Sequence, residues 1–441
     1  MHATRRYAAA LATAVMVSCA GPAGTDTKSI ARAAASLRPS PPVSISPGAD
    51  CAELVRLALK RNPSIRVLRE RASRLAQKPA QDRALPDPTA EIAAGSMAET
   101  AAGKTDAMAS LKQKIPFPGK LREAAAASTR EAQAAASDLA AMELKIVEQV
   151  RSAWWDYDLA AETDRLTRES KALLETVRRS VDARVASGQS GQGDQLRLTN
   201  ENSQLDKDLA DARRMTAVAK ARLNSLLDRP AGAPLPAARA GDLPSPGNLD
   251  ALLARAASRH PEIQAAKLRN SAFRHRLARA ELEKYPDLTF GVTGAAIDST
   301  GLSPMANGRD QLYATLGFNI PLWQEPRKAM IREAEAGIRE TDAMEESARA
   351  DLQYRIEDAW SRATSSREIV ALFDSRLIPD AKQAHRVALN DYSSGKASFN
   401  DVIDTWRRLL AYKLQRASTR SQLGKADAAL RSAAVLDTPA G

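Results

Sequence analysis

Between residues 120 and 187 the chain runs through sixty-eight positions without a glycine or a proline. Along them apolar side chains recur at spacings of three and four: Leu139, Met142, Ile146, Val150, Ala153, Tyr157 and Ala160, then Leu166, Leu173, Val177, Val181 and Val185. That stripe predicts one amphipathic helix with coiled-coil-like packing, and the alanines at 124–127 and 134–136 add helix propensity. At 1.5 Å per residue the rod is about 100 Å long, far beyond the helices of ordinary globules. It has to bury its stripe lengthwise. The adjacent Trp154 and Trp155 point about 100° apart, which calls for a helix on each flank of the rod; the alternative is one buried and one surface tryptophan.

Shorter elements surround the rod. A helix starts near Asp50, which can cap it, and Asn62 with Pro63 starts a second piece that reaches about Ala84. After the rod, Gly188, Gly191 and Gly193 make a turn, and Asp194 is placed to cap a returning helix to Leu227. Five prolines and three glycines then mark residues 228–248 as a linker. Beyond it the order repeats. Leu54 and Pro63 recur as Leu252 and Pro261, Pro86 and Asp87 as Pro286 and Asp287, Ile115 and Pro116 as Ile320 and Pro321, Trp154 as Trp360, and Gly188 and Asp194 as Gly395 and Asp401, the offset drifting from 198 to 207. An ordered series of this kind is an internal duplication. It divides the chain into a first repeat, 50–227 (strands about 87–115, long helix 120–187, tip 188–193), and a second, 249–435 (strands about 287–320, long helix 327–394, tip 395–398), with a short tail at 436–441. Gly337 and Pro379 are candidate bends in the second rod. In the first repeat, helices of 22 and 34 residues, stacked end to end, nearly match the length of its rod.

The segments before each rod change period. Leu288, Phe290 and Val292 alternate with Thr289, Gly291 and Thr293, and Leu312, Ala314, Leu316, Phe318 and Ile320 alternate with Tyr313, Thr315, Gly317 and Asn319. One apolar and one polar face over about ten residues is the pattern of a transmembrane barrel strand. The first hairpin is a weaker example, with no aromatics and with Lys112 and Lys114. Two hairpins give four strands, which cannot close, and lipid does not tolerate an open edge. Closure takes two chains for eight strands or three for twelve. A soluble hairpin packed on the rods is the plain alternative.

Composition narrows the function. The net charge of +11 is spread among interleaved acids with no basic run of five, and aromatic residues are only 4%, which argues against nucleic acid as a partner. The four histidines lack metal-ligand spacing, His260 simply precedes Pro261 as a helix cap, and no nucleophile or cofactor motif is found, so neither an enzyme nor a cofactor is expected. Residues 103–105, Gly-Lys-Thr, end like a phosphate loop, but Ala98 replaces its first glycine. Residues 1–19 read as an export signal, with Arg5 and Arg6 before an apolar run too short to span a membrane. Residues 20–49 read as a flexible tether. The signal ends in Met16-Val17-Ser18-Cys19, which resembles a bacterial lipobox. The resemblance implies acylation of Cys19 and, with Ala20 following, outer-membrane sorting, leaving Cys51 as the single thiol.

The duplicated order of helix, hairpin, rod and tip, the run Ile115-Pro116-Phe117-Pro118-Gly119-Lys120, and Tyr392-Ser393-Ser394-Gly395 followed by Asp401-Val402-Ile403-Asp404 together resemble the TolC family of outer-membrane efflux channels over residues 50–435. The resemblance implies a mainly α protein with a small β part: helical hairpins forming an α-barrel across the periplasm, and four strands per chain in a homotrimeric twelve-stranded β-barrel in outer-membrane lipid. It implies a periplasmic adaptor and an inner-membrane pump as partners. Asp401 and Asp404 match the family's acids at the periplasmic constriction, and Asp194 with Tyr392 matches its closed latch. The family's latch arginine, near Ala397, is missing; Lys396 is the nearest base. The proline-rich run before the rod resembles some metal-efflux members, although no Met or His cluster accompanies it. The rival from another class is a periplasmic coiled-coil scaffold or adaptor lipoprotein without a pore, which has no need of amphipathic hairpins.

Overall fold

The computed structural model describes residues 45–95, 99–100, 102–188, 191–238, 241, 245–298 and 308–437. Cys19 and the rest of the export segment and tether up to residue 44 lie outside them. In order, the elements of the first repeat are α1 (Cys51–Arg61), α2 (Pro63–Ala76), α3 (Lys78–Arg83), β1 (Thr89–Ala94), β2 (Glu99–Thr100), β3 (Gly103–Ile115), α4 (Lys120–Ala186) and α5 (Gln192–Leu226). The second repeat has α6 (Leu249–Arg259), α7 (Pro261–Leu282), β4 (Leu288–Asp298), β5 (Gln311–Phe318), α8 (Gln324–Leu372), a π-helical segment (Phe373–Leu377), α9 (Ile378–Ser393) and α10 (Phe399–Ala433).

The caps follow the sequence. Asp50 accepts from the Glu53 N–H at 2.8 Å, Asn62 from Ser64 at 2.9 Å, and His260 from Glu262 at 3.3 Å. The second helical piece is not continuous to Ala84. It breaks at Gln77, just before Pro79, which has no N–H to continue the ladder. The second rod is likewise not one α-helix. Pro379 lacks the N–H that an α-turn requires, and the turn before it widens into the π segment. A π turn holds one extra residue, and the offset between the repeats grows from 206 at Trp154 and Trp360 to 207 at Gly188 and Gly395 across this stretch. Gly337 does not interrupt α8. It lies where a Cβ would stand 2.2 Å from the Phe273 ring, so it admits a neighbouring helix instead.

The duplication is visible as one core built twice. Leu54, Ala58, Ile65, Ile146, Val150, Ala153, Leu223, Leu226 and Leu227 form the first cluster, with Trp154. Their counterparts Leu252, Ala256, Ile263, Leu352, Ile356, Ala359, Leu430, Ala433 and Ala434 form another. In each, two short stacked helices and the end of the returning helix cover the middle of a rod. Trp154 belongs to the first cluster, whereas Trp155 faces the other flank, where a Cβ on Gly424 of α10 would stand 1.9 Å from its ring. The rod therefore has a helix on each side, as the tandem tryptophans require.

The sheet order is β1-β3-β4-β5, all antiparallel, with the two-residue β2 added beside β3. One face carries Ile92, Leu111, Phe290, Val292, Leu312, Leu316 and Phe318, all exposed. The other carries Glu91, Ser110, Lys112, Lys114, Thr289, Thr293, Tyr313 and Thr315. The two lysines that weaken the first hairpin's pattern thus stand on the polar face, where Lys112 pairs with Glu91 at 2.6 Å. At the foot of the sheet the repeats are locked together. The buried Lys120 reaches Asp287 at 2.9 Å and Glu283 at 3.0 Å, Lys114 reaches Asp287 at 3.1 Å, and the Phe117 N–H donates to Asp287 at 2.9 Å. Phe117 stacks on Tyr285 with ring centroids 4.4 Å apart. Burial alone pushes the Asp287 pKa up; the Lys120 and Phe117 hydrogen bonds, with Lys114, outweigh it and hold it below the ordinary value. Among the described residues, no helix is long and apolar enough to cross a membrane.

Candidate functional site

At the end remote in sequence from the hairpins, each rod stops at a glycine with positive φ, Gly188 at 73° and Gly395 at 77°. A left-handed residue there lets the chain reverse, which a side chain would resist. After Gly395 the Lys396 and Ala397 N–H groups donate back to the Asp391 carbonyl at 2.8 and 3.2 Å, and α10 begins with Ser398 as its cap. The cap is a reciprocal box: Ser398 Oγ accepts from the Asp401 N–H at 3.3 Å while the Asp401 carboxylate accepts from the Ser398 N–H at 2.9 Å. Hydrogen bonds from the Ser398 hydroxyl and N–H hold the Asp401 carboxyl below the usual range. Asp404, one turn on, is exposed, and its nearest cation is Arg407 at 3.9 Å. Asp401 also lines an open groove between α9 and α10, of about 570 Å³, together with Asp380 and Asp391. The structure thus brings Asp401 and Asp404 onto one turn and adds two acids that the sequence did not single out.

Tyr392 is buried beside the turn, its ring 6.0 Å from Phe399. Over it, at 4.7 Å from the ring centroid, lies the guanidinium of Arg184 from the first rod, which also donates to the Tyr392 carbonyl. The cation beside this tyrosine comes from the opposite repeat and not from the vicinity of Ala397. Along the chain Arg184 is marked only as the base in the last turn of α4. Asp194 does not cap α5. That helix begins two residues earlier, at Gln192, with Gly191 as N-cap, so Asp194 sits half-buried within the first turn. The two assigned tip residues 192–193 are therefore helical, and 189–190 lie outside the described residues. Below the turns the hairpins are held by a core of Leu174, Val177, Val181, Leu198, Val402 and Trp406 and by polar contacts, among them Arg197 to Asn400 at 2.6 Å and Lys413 to Glu169 at 2.6 Å. Among the described residues no group of three potential metal ligands occurs.

Residues 252–434 match the family model described as outer membrane efflux protein. No curated protein sequence matches the chain. Solved structures do. The outer membrane protein VceC of Vibrio cholerae is 20% identical with a TM-score of 0.73, the match covering 87% of this chain and 95% of that one. The MtrE channel of Neisseria gonorrhoeae, in an open state, is 18% identical with a TM-score of 0.70, covering 87% and 88%. The CmeC channel of Campylobacter jejuni is 16% identical with a TM-score of 0.73, covering 89% and 88%. Residues 252–434 thus match the outer membrane efflux protein family model, and the chain shares the fold of these solved outer-membrane channels.

Proposed function

We propose that the chain is one subunit of a homotrimeric exit duct in the outer membrane, coupled to an inner-membrane transporter through a periplasmic adaptor and gated at the rod tips. The observation that carries this reading is the sheet. It has one continuous apolar face exposed along β1, β3, β4 and β5, and a polar face on the other side. Such a surface is costly in water and suited to lipid, and three copies supply twelve strands besides the two-residue β2. In this reading Asp401 and Asp404 of three copies ring the periplasmic constriction, and Asp194, Tyr392 and Arg184 hold the two hairpins of each copy in the closed state. In this reading Cys19 carries a lipid anchor. Catalysis has no part in it; the duct is passive.

The test is the native mass of protein extracted from outer membranes with detergent, by light scattering corrected for bound detergent, followed by conductance in planar bilayers. A conducting trimer is expected. A monomer released without detergent would sink the duct and make the pore-free scaffold the better reading; a dimer would replace twelve strands by eight.

A further inference from the structure

The two hairpins are copies in register as well as in order. Thr89↔Lys112, Ala90↔Leu111 and Ile92↔Ala109 pair in the first. Moving the first member by 200 and the second by 205, the offsets of Pro86 to Pro286 and of Ile115 to Ile320, gives Thr289↔Gly317, Phe290↔Leu316 and Val292↔Ala314, which are the pairs of the second. The junction between the hairpins, β3 against β4, joins the second strand of one repeat to the first strand of the next: Gln113↔Phe290, Lys112↔Gly291 and Leu111↔Val292. Among the described residues β1 and β5 have no such neighbour on their outer edges. The same two offsets turn the observed junction into a definite one between copies.

We infer that β5 of one copy pairs antiparallel with β1 of a second copy in a single register, with Phe318 opposite Ala90, Gly317 opposite Glu91 and Leu316 opposite Ile92. The inference rests on the proposed trimer and says which residues meet in it. Side-chain chemistry agrees at each position. Leu111 facing Val292 becomes Leu316 facing Ile92, a leucine against a β-branched residue both times. Gln113 facing Phe290 becomes Phe318 facing Ala90, so an aromatic ring again meets a smaller side chain. At the observed junction the long Lys112 lies across Gly291, where a Cβ would be 3.2 Å from its Cγ; between copies the long Glu91 lies across Gly317. A one-residue slip would put Leu316 opposite a polar-face position and turn every side chain to the wrong face. A two-residue slip keeps the faces but moves Glu91 away from the glycine. Pairing β1 with β1 would bring the Glu91 carboxylates of two copies onto one edge.

The helices show the same open junction. Leu166 on α4 is 5% exposed where it meets the second repeat, and its counterpart Leu372 on α8 is 43% exposed. Ile403 is 5% exposed against 67% for its counterpart Leu196, and Ala265 is 1% against 66% for Val67. Each exposed member stands on a flank that has a partner in the other repeat. At the foot of the sheet the equivalence stops: by the same offset the counterpart of Lys120 is Glu325, so the Lys120–Asp287 lock has no like-for-like copy at Asp87. A second copy, added head to tail, therefore covers the open strand edges and these exposed helix positions with what the chain already uses internally.

The experiment is disulfide trapping in outer membranes, with Cys51→Ser as background. Directly opposed antiparallel residues have Cα atoms about 4.5 to 5.5 Å apart, within the range a disulfide spans. Ile92→Cys with Leu316→Cys is expected to give a covalent trimer as the main band on oxidation, lost on reduction and absent from either single variant. Ala94→Cys with Phe318→Cys, displaced by four residues, is expected to give none. Trapping by the displaced pair in place of the matched one overturns the register. No trapping by the matched pair, in variants whose native mass is still that of a trimer, overturns the β1–β5 junction while the trimer stands. A monomeric native mass of the Cys51→Ser background overturns the trimer itself, and the inference with it.

Discussion

Asp401 has two tasks that pull on the same carboxylate. Its hydrogen bonds to Ser398 close the first turn of α10 and keep it ionised, and in the proposed duct that fixed charge faces the lumen with Asp404. Negative charge focused at a constriction favours cations. Asp401→Ala with Asp404→Ala is therefore expected to lower the cation-to-anion permeability ratio, read from reversal potentials across a salt gradient; Asp404→Ala alone, which leaves the capping box whole, should give part of the shift. An unchanged ratio in both would remove the acids from the lumen. The histidines give a second expectation. Burial lowers the pKa of both His260 and His385 from 6.5, with Arg355 adding to the effect at His260. The unfolded chain then takes up protons that the folded chain refuses. Their stabilisation is full above about pH 6.5 and is lost as pH falls through the depressed folded values. Melting temperature should drop between pH 7 and 5, less steeply in His385→Asn; an equal slope would assign the loss elsewhere. The placement of Asp401 and Tyr392 beside a turn was legible in the sequence because they lie within a few residues of a telltale glycine. Arg184 was not, since its role depends on a contact 208 residues away. Asp194 was misread because a helix start marked by a glycine cap leaves no side chain to find it by.

Among the elements, the long helix α4 shows how much periodicity alone can give. Sixty-seven residues form one helix, within a residue of the span free of glycine and proline. The second rod was harder to read, because its discontinuity is a single extra residue. In an unbroken α-helix that residue would turn all later side chains by about 100°. The π segment absorbs it, so Gly395, Asp401 and Trp406 keep the faces that the duplication gives them. Gly424 gives a test of packing between the two halves. Replacing glycine by alanine in a helix gains about 1 kcal/mol of propensity, but here the new methyl would meet the Trp155 ring, and overpacking of that kind costs about 1–3 kcal/mol. Gly424→Ala should lower the melting temperature. In a Trp155→Leu background the clash is gone and the same change should raise it. A stabilising effect in both backgrounds would show that the ring moves aside freely.

In the whole molecule the two repeats act as one body because charge as well as apolar surface crosses their junction. Lys120 is 5% exposed and holds two carboxylates of the second repeat. Removing one partner of a buried pair leaves the other uncompensated, at a cost of about 3 kcal/mol or more. Lys120→Met is expected to destabilise the protein by about that much, and Lys120→Met with Asp287→Asn by less, both measured by thermal melting in detergent. Additive losses would mean that the pair does not interact. The amphipathic strands were legible from their alternation. The lock at the foot of the sheet was not, because Lys120 and Asp287 are 167 residues apart.

The open sheet also has a consequence for the protein's life before assembly. In the proposed duct each copy carries two unpaired edges and an exposed apolar face until it meets the others, the combination that templates aggregation. Glu91, Lys112 and Lys114, charges on the strands nearest one edge, act as gatekeepers against careless pairing. Slow docking of copies would prolong that exposure, so the yield of assembled protein is expected to depend on how fast copies meet.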